Sequence, residues 1–196
     1  YLRTHPMTSE RIADMGNRVQ NLPYKQVSEN PAFSLMRAKI RAFQGAPAQM
    51  VEEFKNNLEE GRFQNEQSEH FGLAYAYLRA NLAKNAQQEI VWLEQHGMVN
   101  PYIITLKAVT LAKLGQVPEA QAQFLKGLQL YPQHRIFAQG MAESLVNGSQ
   151  WSAAVSFIQK QLQTFPEDPK LYDWLAAAYQ GQGKQMLRHQ ALGEAY

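Results

Sequence analysis

A shift of 34 residues lays like on like along most of this chain. Ala74, Ala108, Ala142 and Ala176 superpose, as do Tyr77, Leu111, Leu145 and Tyr179, and then Ile90, Phe124, Ile158 and Leu192. Ala86, Ala120 and Ala154 form a further column, and Pro132 and Pro166 close two successive units. A fixed period of this length constrains the fold more than composition can. Each unit is one supersecondary piece that cannot bury its apolar face alone, so units must stack, and stacking demands similar residues at similar places.

The columns resemble the tetratricopeptide-repeat (TPR) pattern, in which helix A carries large, small and large apolar residues and helix B carries an alanine, an apolar residue four positions on and a closing proline. The unit that starts at Pro101 shows it in Leu111, Gly115, Ala120, Phe124, Gly127 and Pro132, with Gly115 in the tight turn where a residue without Cβ is easiest to accommodate. The alanines have a mechanical reason, because helices A and B cross closely and a larger side chain would push them apart. Pro101 and Pro169 stand where helix A begins and Pro118 where helix B begins, positions at which the missing N–H costs nothing. The resemblance implies an all-α fold, a right-handed superhelical solenoid of TPR helix-turn-helix repeats. Helices are expected at 68–80 and 84–96, 101–114 and 118–130, 135–147 and 151–164, 169–181 and 184–195, which makes four units over 67–196. Ala38, Met50 and Phe54 fit the template after a two-residue slip, so 31–66 is expected to be a degenerate TPR-like hairpin that caps the array. Arg188 replaces the column alanine in the last unit, as suits a terminal helix whose outer face meets water.

In TPR modules the inner, concave face is lined by helix A, and the resemblance places positions 2, 5, 9, 12 and 13 of that helix toward the groove. This gives Phe71, Tyr75, Leu78 and Arg79 in the first unit, Tyr102, Thr105, Val109 and Lys113 in the second, and Ile136, Gln139, Glu143 and Asn147 in the third. Arg79, Lys113 and Asn147 share one position, which makes either a cationic edge for a carboxylate or backbone carbonyls, or a solvated ridge. TPR modules that clamp the acidic C-termini of chaperones use Lys and Asn where this chain has Phe71, Thr105, Tyr75 and Val109, which disfavours that role. Trp151 and Trp174 read as wedges between adjacent helices.

The segment from Thr4 to Ala13 stands outside the repeat. As a local pattern it is a helix start, with Thr8 or Ser9 as N-cap, Glu10 in the first turn and Ile12, Met15 and Val19 on one face. Its Thr-His-Pro-x-Thr-x-Glu-Arg-Ile string, followed by Asn17 and Arg18, is similar to the segment that closes the peptidase domain in bacterial zinc metallopeptidases of the BepA type. In that family an HExxH peptidase domain precedes a C-terminal TPR domain, and the protein acts in the periplasm on assembly and quality control of outer-membrane proteins. The resemblance implies that 1–30 is the tail end of a preceding peptidase domain and that His5 lies close to the zinc of a longer protein; without it His5 is a solvated loop residue. No HExxH occurs in this chain, and His70, His96, His134 and His189 form no i, i+4 pair to hold a metal on one helical face. No catalytic residue and no cofactor is therefore expected in the chain itself, and zinc is implied only for the full-length protein.

Composition narrows the partners. With 45% hydrophobic and 18% charged residues the chain has the means to build a core. Its net charge of +2 supplies no field for phosphate binding, so nucleic acid is not expected as a partner. The absence of cysteine removes disulfides and thiolate chemistry. No apolar run approaches the roughly 20 residues that span a bilayer. Gly181-Gln182-Gly183 falls in a helix-to-helix turn and Asn147-Gly148-Ser149 in an A-to-B turn, so neither reads as a nucleotide or glycosylation motif. The expected function is a non-catalytic protein-binding module of a periplasmic metallopeptidase, taking proteins or peptides in its groove, among them misfolded outer-membrane proteins or components of their assembly machinery. The alternative is a stand-alone TPR scaffold in a secretion, pilus or envelope complex. An HExxH encoded upstream separates the two.

Overall fold

The computed structural model describes residues 8–19 and 30–195, which hold eleven α-helices and no strand among the described residues. They fall into two units. The first, within 1–30, contributes α1 (Thr8–Val19), whose Asp14 and Arg18 pair at 2.9 Å one turn apart. The string around His5 that carries the metallopeptidase resemblance begins outside the described residues, and so does His5 itself.

The second unit, Pro31–Tyr196, is an all-α solenoid of stacked hairpins. Its helices are α2 (Pro31–Gln44), α3 (Pro47–Glu59), α4 (Glu66–Arg79), α5 (Ala83–Gln95), α6 (Pro101–Lys113), α7 (Val117–Leu130), α8 (Arg135–Asn147), α9 (Trp151–Leu162), α10 (Pro169–Gly181) and α11 (Gln185–Glu194). The even helices from α4 onward are the A helices and the odd ones the B helices. Pro101 and Pro169 open α6 and α10, and Pro118 sits in the first turn of α7.

The 34-residue period shows itself in the backbone at each A-to-B turn. Asn81, Gly115, Ser149 and Gly183, one period apart, all take positive φ, at 59°, 78°, 55° and 74°. Glycine meets this left-handed conformation without strain in two of the turns, and Asn and Ser tolerate it in the others. A second column caps the A helices. The side chain of Asn100 accepts from the amides of Tyr102 and Ile103, and that of Asp168 from those of Lys170 and Leu171, while His134 in the same column makes no such bond.

The core runs as two apolar clusters that share α6. Ile103 and Leu106 belong to the first, with residues from α2 to α5, whereas Ile104 and Ala108 belong to the second, with residues from α7 to α11; Val109 touches both. The column alanines Ala86, Ala120 and Ala154 are fully buried, so the A and B helices meet there with nothing larger than a methyl between them. Four helical glycines do a related job, each acting as a seat for an aromatic ring. A Cβ on Gly72 would lie 2.3 Å from Phe54, on Gly127 2.3 Å from Phe137, on Gly140 2.4 Å from Phe124, and on Gly181 2.4 Å from Trp151. The rings thus rest on bare backbone, closer than any side chain there would permit.

At the front of the array α2 and α3 both pack on α4 and touch each other less. Arg41 on α2 ties the three together, reaching Glu69 of α4 at 2.7 Å and Glu53 of α3 at 3.0 Å while its guanidinium lies over the Phe54 ring. No described helix is long and apolar enough to cross a membrane.

Candidate protein-binding groove

The A helices α6, α8 and α10 form the walls of a groove of about 540 Å³. Thr105 and Val109 come from α6, Ile136, Gln139, Gly140 and Glu143 from α8, and Lys170, Asp173, Trp174 and Ala177 from α10, with Phe124 of α7 behind them. Phe124 reaches the floor because Gly140 offers no side chain to stop it. An adjoining pocket of about 360 Å³ shares Val109, Phe124, Gly140 and Glu143 and extends the groove to Lys113 and Asn147. Five of the sequence-derived candidates, Thr105, Val109, Ile136, Gln139 and Glu143, therefore meet around one cavity, and Lys113 and Asn147 join them in its extension.

The polar members differ in freedom. Thr105 donates its hydroxyl to the Pro101 carbonyl at 2.8 Å. Gln139 donates its amide to both carboxylate oxygens of Asp168, at 3.0 and 2.7 Å, which leaves its own carbonyl oxygen as an acceptor. Asp168 is itself buried and capped onto α10, so this contact locks α8 to α10 across the groove. Glu143, Lys170 and Asp173 are exposed on the rim, and no ion pair joins any of them to another described residue. An apolar floor with an indole and a rim of unpaired charges is suited to an apolar side chain held in register by polar contacts.

The first-unit candidates need correction. Phe71 is fully buried, and Tyr75 and Leu78 are each only 8% exposed, because α2 packs on the side of α4 that the register turns toward the groove. Phe71 packs edge-on against Tyr75 at 5.1 Å, and Phe43 of α2 covers Tyr75 from the other side at 6.2 Å. Arg79 is no free edge cation: its guanidinium donates to the carbonyls of Ala42 and of Gly45 at the C-terminal end of α2, where unpaired carbonyls attract a cation. Tyr102 is half-buried against the first core cluster and meets His134 edge-on at 6.0 Å, outside the cavity lining.

Burial pushes the Tyr75 hydroxyl up from 10 to about 12. The folded state thus keeps a proton that the unfolded chain releases above pH 10, so this contribution to stability is complete below that value and is lost as pH rises toward 12. Tyr75→Phe is expected to flatten the fall in denaturation midpoint between pH 10 and about 12, measured by circular dichroism against the parent chain. An unchanged slope would mean that Tyr75 is open to water.

Lys170, Asp173 and Ala177 were missing from the sequence-derived groove, although positions 2, 5 and 9 of the fourth A helix carry them in the same register. Trp174, read from sequence as a wedge, does pack on the second core cluster, yet it also lines the groove. Among the described residues no group of three or more His, Cys, Asp or Glu is placed to hold a metal ion. His70 is engaged elsewhere, 2.6 Å from Glu89 and stacked at 3.6 Å on Trp92. A zinc ion needs three or four such donors, so the described residues do not fit one.

Stacked A/B hairpins on a 34-residue period, with a groove along the A helices, define the TPR fold. The comparisons with known proteins agree with that fold. No family model matches the chain. Over 97% of its length the chain is 25% identical to the Beta-barrel assembly-enhancing protease of Yersinia pestis, and it spans 39% of that relative. Among solved structures, MamA MSR-1 superposes with a TM-score of 0.57 at 14% identity, over 84% of this chain and 93% of that one. YrrB, described as a TPR protein with an unusual peptide-binding site, gives 0.55 at 14% identity over 94% of this chain and 89% of its own. Likeness at this identity establishes the fold.

Proposed function

We propose that this chain is the non-catalytic TPR module of a periplasmic zinc metallopeptidase, which presents clients to a peptidase domain or docks the enzyme on the machinery that assembles outer-membrane proteins. The groove between α6, α8 and α10 carries this reading, since its apolar floor and unpaired polar rim suit a polypeptide segment. Two further observations support it: the similarity to a relative named as a protease that enhances β-barrel assembly, and the Thr-His-Pro string that resembles the end of such a peptidase domain. In the proposed mechanism the client buries an apolar side chain against Ile136, Val109 and Trp174. Glu143, Asp173 and the Gln139 carbonyl oxygen then meet its backbone amides or polar side chains. The bond-breaking chemistry belongs to a domain outside this chain, where zinc would activate water.

A photoreactive residue placed at Glu143, on the rim, tests this reading against one at Ser156, exposed on α9. With an unfolded outer-membrane β-barrel protein as the probe, the groove position is expected to give the adduct and the α9 position not. Adducts from Ser156 alone would place the contact on the B helices and overturn the groove.

A further inference from the structure

Helix α2 carries two apolar faces where the solenoid uses one. Its inner face, Leu35, Ala38 and Ala42, is buried in the first core cluster. On the outer face Phe33, Met36, Ile40 and Phe43 follow one another at the i, i+3, i+7, i+10 spacing that keeps side chains on one side of a helix. Phe33, Ile40 and Phe43 are 59%, 60% and 54% exposed, while Met36 leans on the core between them. Packing within the array does not account for that outer stripe.

Cations flank the stripe. At about 100° per residue Arg37 and Lys39 fall on its opposite edges. The Arg37 guanidinium lies 5.9 Å from the centre of the Phe33 ring and donates to the neutral Gln64 side chain, the Lys39 ammonium lies 4.8 Å from the Tyr75 ring, and Arg79 of α4 stands 5.1 Å from the Phe43 ring. No ion pair joins Arg37 or Lys39 to a described carboxylate, and α2 has no Asp or Glu between Pro31 and Gln44. The carboxylates that reach α2 from α3 and α4, those of Glu53 and Glu69, are both held by Arg41. A second copy of the chain laid on this face would set Arg37 and Lys39 against the same cations, with no acid on the helix to offset them. Nor does the face offer a socket for a shaped partner, since its exposed side chains form a ridge and neither cavity of the groove takes a residue from α2. An anionic bilayer meets both features at once, because its phosphates lie beside the acyl boundary into which Phe and Ile side chains insert. No described helix is long and apolar enough to cross a membrane, so α2 would lie along the surface.

We propose that the outer face of α2 docks on a lipid surface rich in anionic headgroups, with Phe33, Ile40 and Phe43 entering the boundary between headgroups and acyl chains and Arg37 and Lys39 meeting the phosphates. The site lies outside the groove and does not depend on what the groove binds.

The test is flotation of the 196-residue chain with vesicles of phosphatidylcholine alone and of phosphatidylcholine mixed in equal parts with phosphatidylglycerol. The expected result is binding to the anionic vesicles about thirtyfold tighter than to the neutral ones, the scale of two cations at a charged surface, with that preference fading as salt rises. Arg37→Gln combined with Lys39→Gln should remove most of the preference. Phe33→Ser combined with Ile40→Ser should weaken binding to the anionic vesicles by about tenfold or more. Both of those side chains already meet water, and circular dichroism checks that the variant keeps its helices. Val99→Ser combined with Met186→Ser, which removes apolar side chains exposed elsewhere on the array, should change nothing. Equal binding to both vesicles, or binding to neither, overturns the proposal. So does a Phe33/Ile40 variant that binds as the parent does, or a Val99/Met186 variant that loses as much. Sedimentation velocity covers the remaining occupant: a parent that self-associates where the Phe33/Ile40 variant stays monomeric makes the stripe a contact between copies and overturns lipid docking.

Discussion

Gly127→Ala is expected to destabilise the protein by about 2 kcal/mol, within the range seen when a methyl is forced into a filled core. The new Cβ would lie 2.3 Å from Cδ1, 2.4 Å from Cε1 and 2.6 Å from Cγ of Phe137. That ring has nowhere to go, being fully buried between the Tyr131 ring at 6.3 Å and the His134 ring at 5.9 Å. The change has an opposing benefit, because alanine is favoured over glycine inside a helix by up to about 1 kcal/mol. Overlap at these distances outweighs it. Gly193 in α11 is the control, since a Cβ there meets nothing within 4 Å. Gly193→Ala should leave stability unchanged or raise it by roughly 0.5 kcal/mol. Urea denaturation of the two variants gives the comparison, and adding Phe137→Leu to Gly127→Ala should return part of the loss. A Gly127→Ala variant as stable as the parent would show that α7 and α8 do not meet across Gly127 and Phe137.

Trp174→Ala is expected to weaken capture of an unfolded β-barrel client by roughly thirty- to a thousandfold, the effect of removing an aromatic anchor worth about 2 to 4 kcal/mol. Trp174 is half-buried at the groove wall, where its ring offers broad contact area with few rotors to freeze. Trp174→Phe should keep most of the affinity and Lys113→Gln should cost little at ordinary ionic strength, because an exposed charge is screened. The variant also loses contacts with the second core cluster, so its helix content and denaturation midpoint are measured beside its affinity. A folded Trp174→Ala protein that binds as the parent does would remove the indole from the site. Tyr75 is not a substitute probe: it is buried under α2, so its truncation would lower stability and confound any loss of binding.

The period of 34 and its punctuation were legible in the residues alone. Prolines at the starts of α6, α7 and α10, crossing alanines in three units and the left-handed A-to-B turn in all four are local requirements, and their recurrence makes them readable without knowing what packs on what. The same register delivered Thr105, Val109, Ile136, Gln139 and Glu143 to one cavity, and carried one unit further it delivers Lys170, Asp173 and Ala177. The register states which way a position points along its own helix. Whether another helix already occupies that space is a contact between distant segments, and periodicity carries no trace of it. So Phe71, Tyr75 and Leu78, in the register's groove positions, became core because α2 lies over them, and Arg79 spent its charge on the carbonyls of Ala42 and Gly45. The ring seats at Gly127 and Gly140 are likewise invisible to a column of residue types, since each depends on a ring delivered from a neighbouring helix.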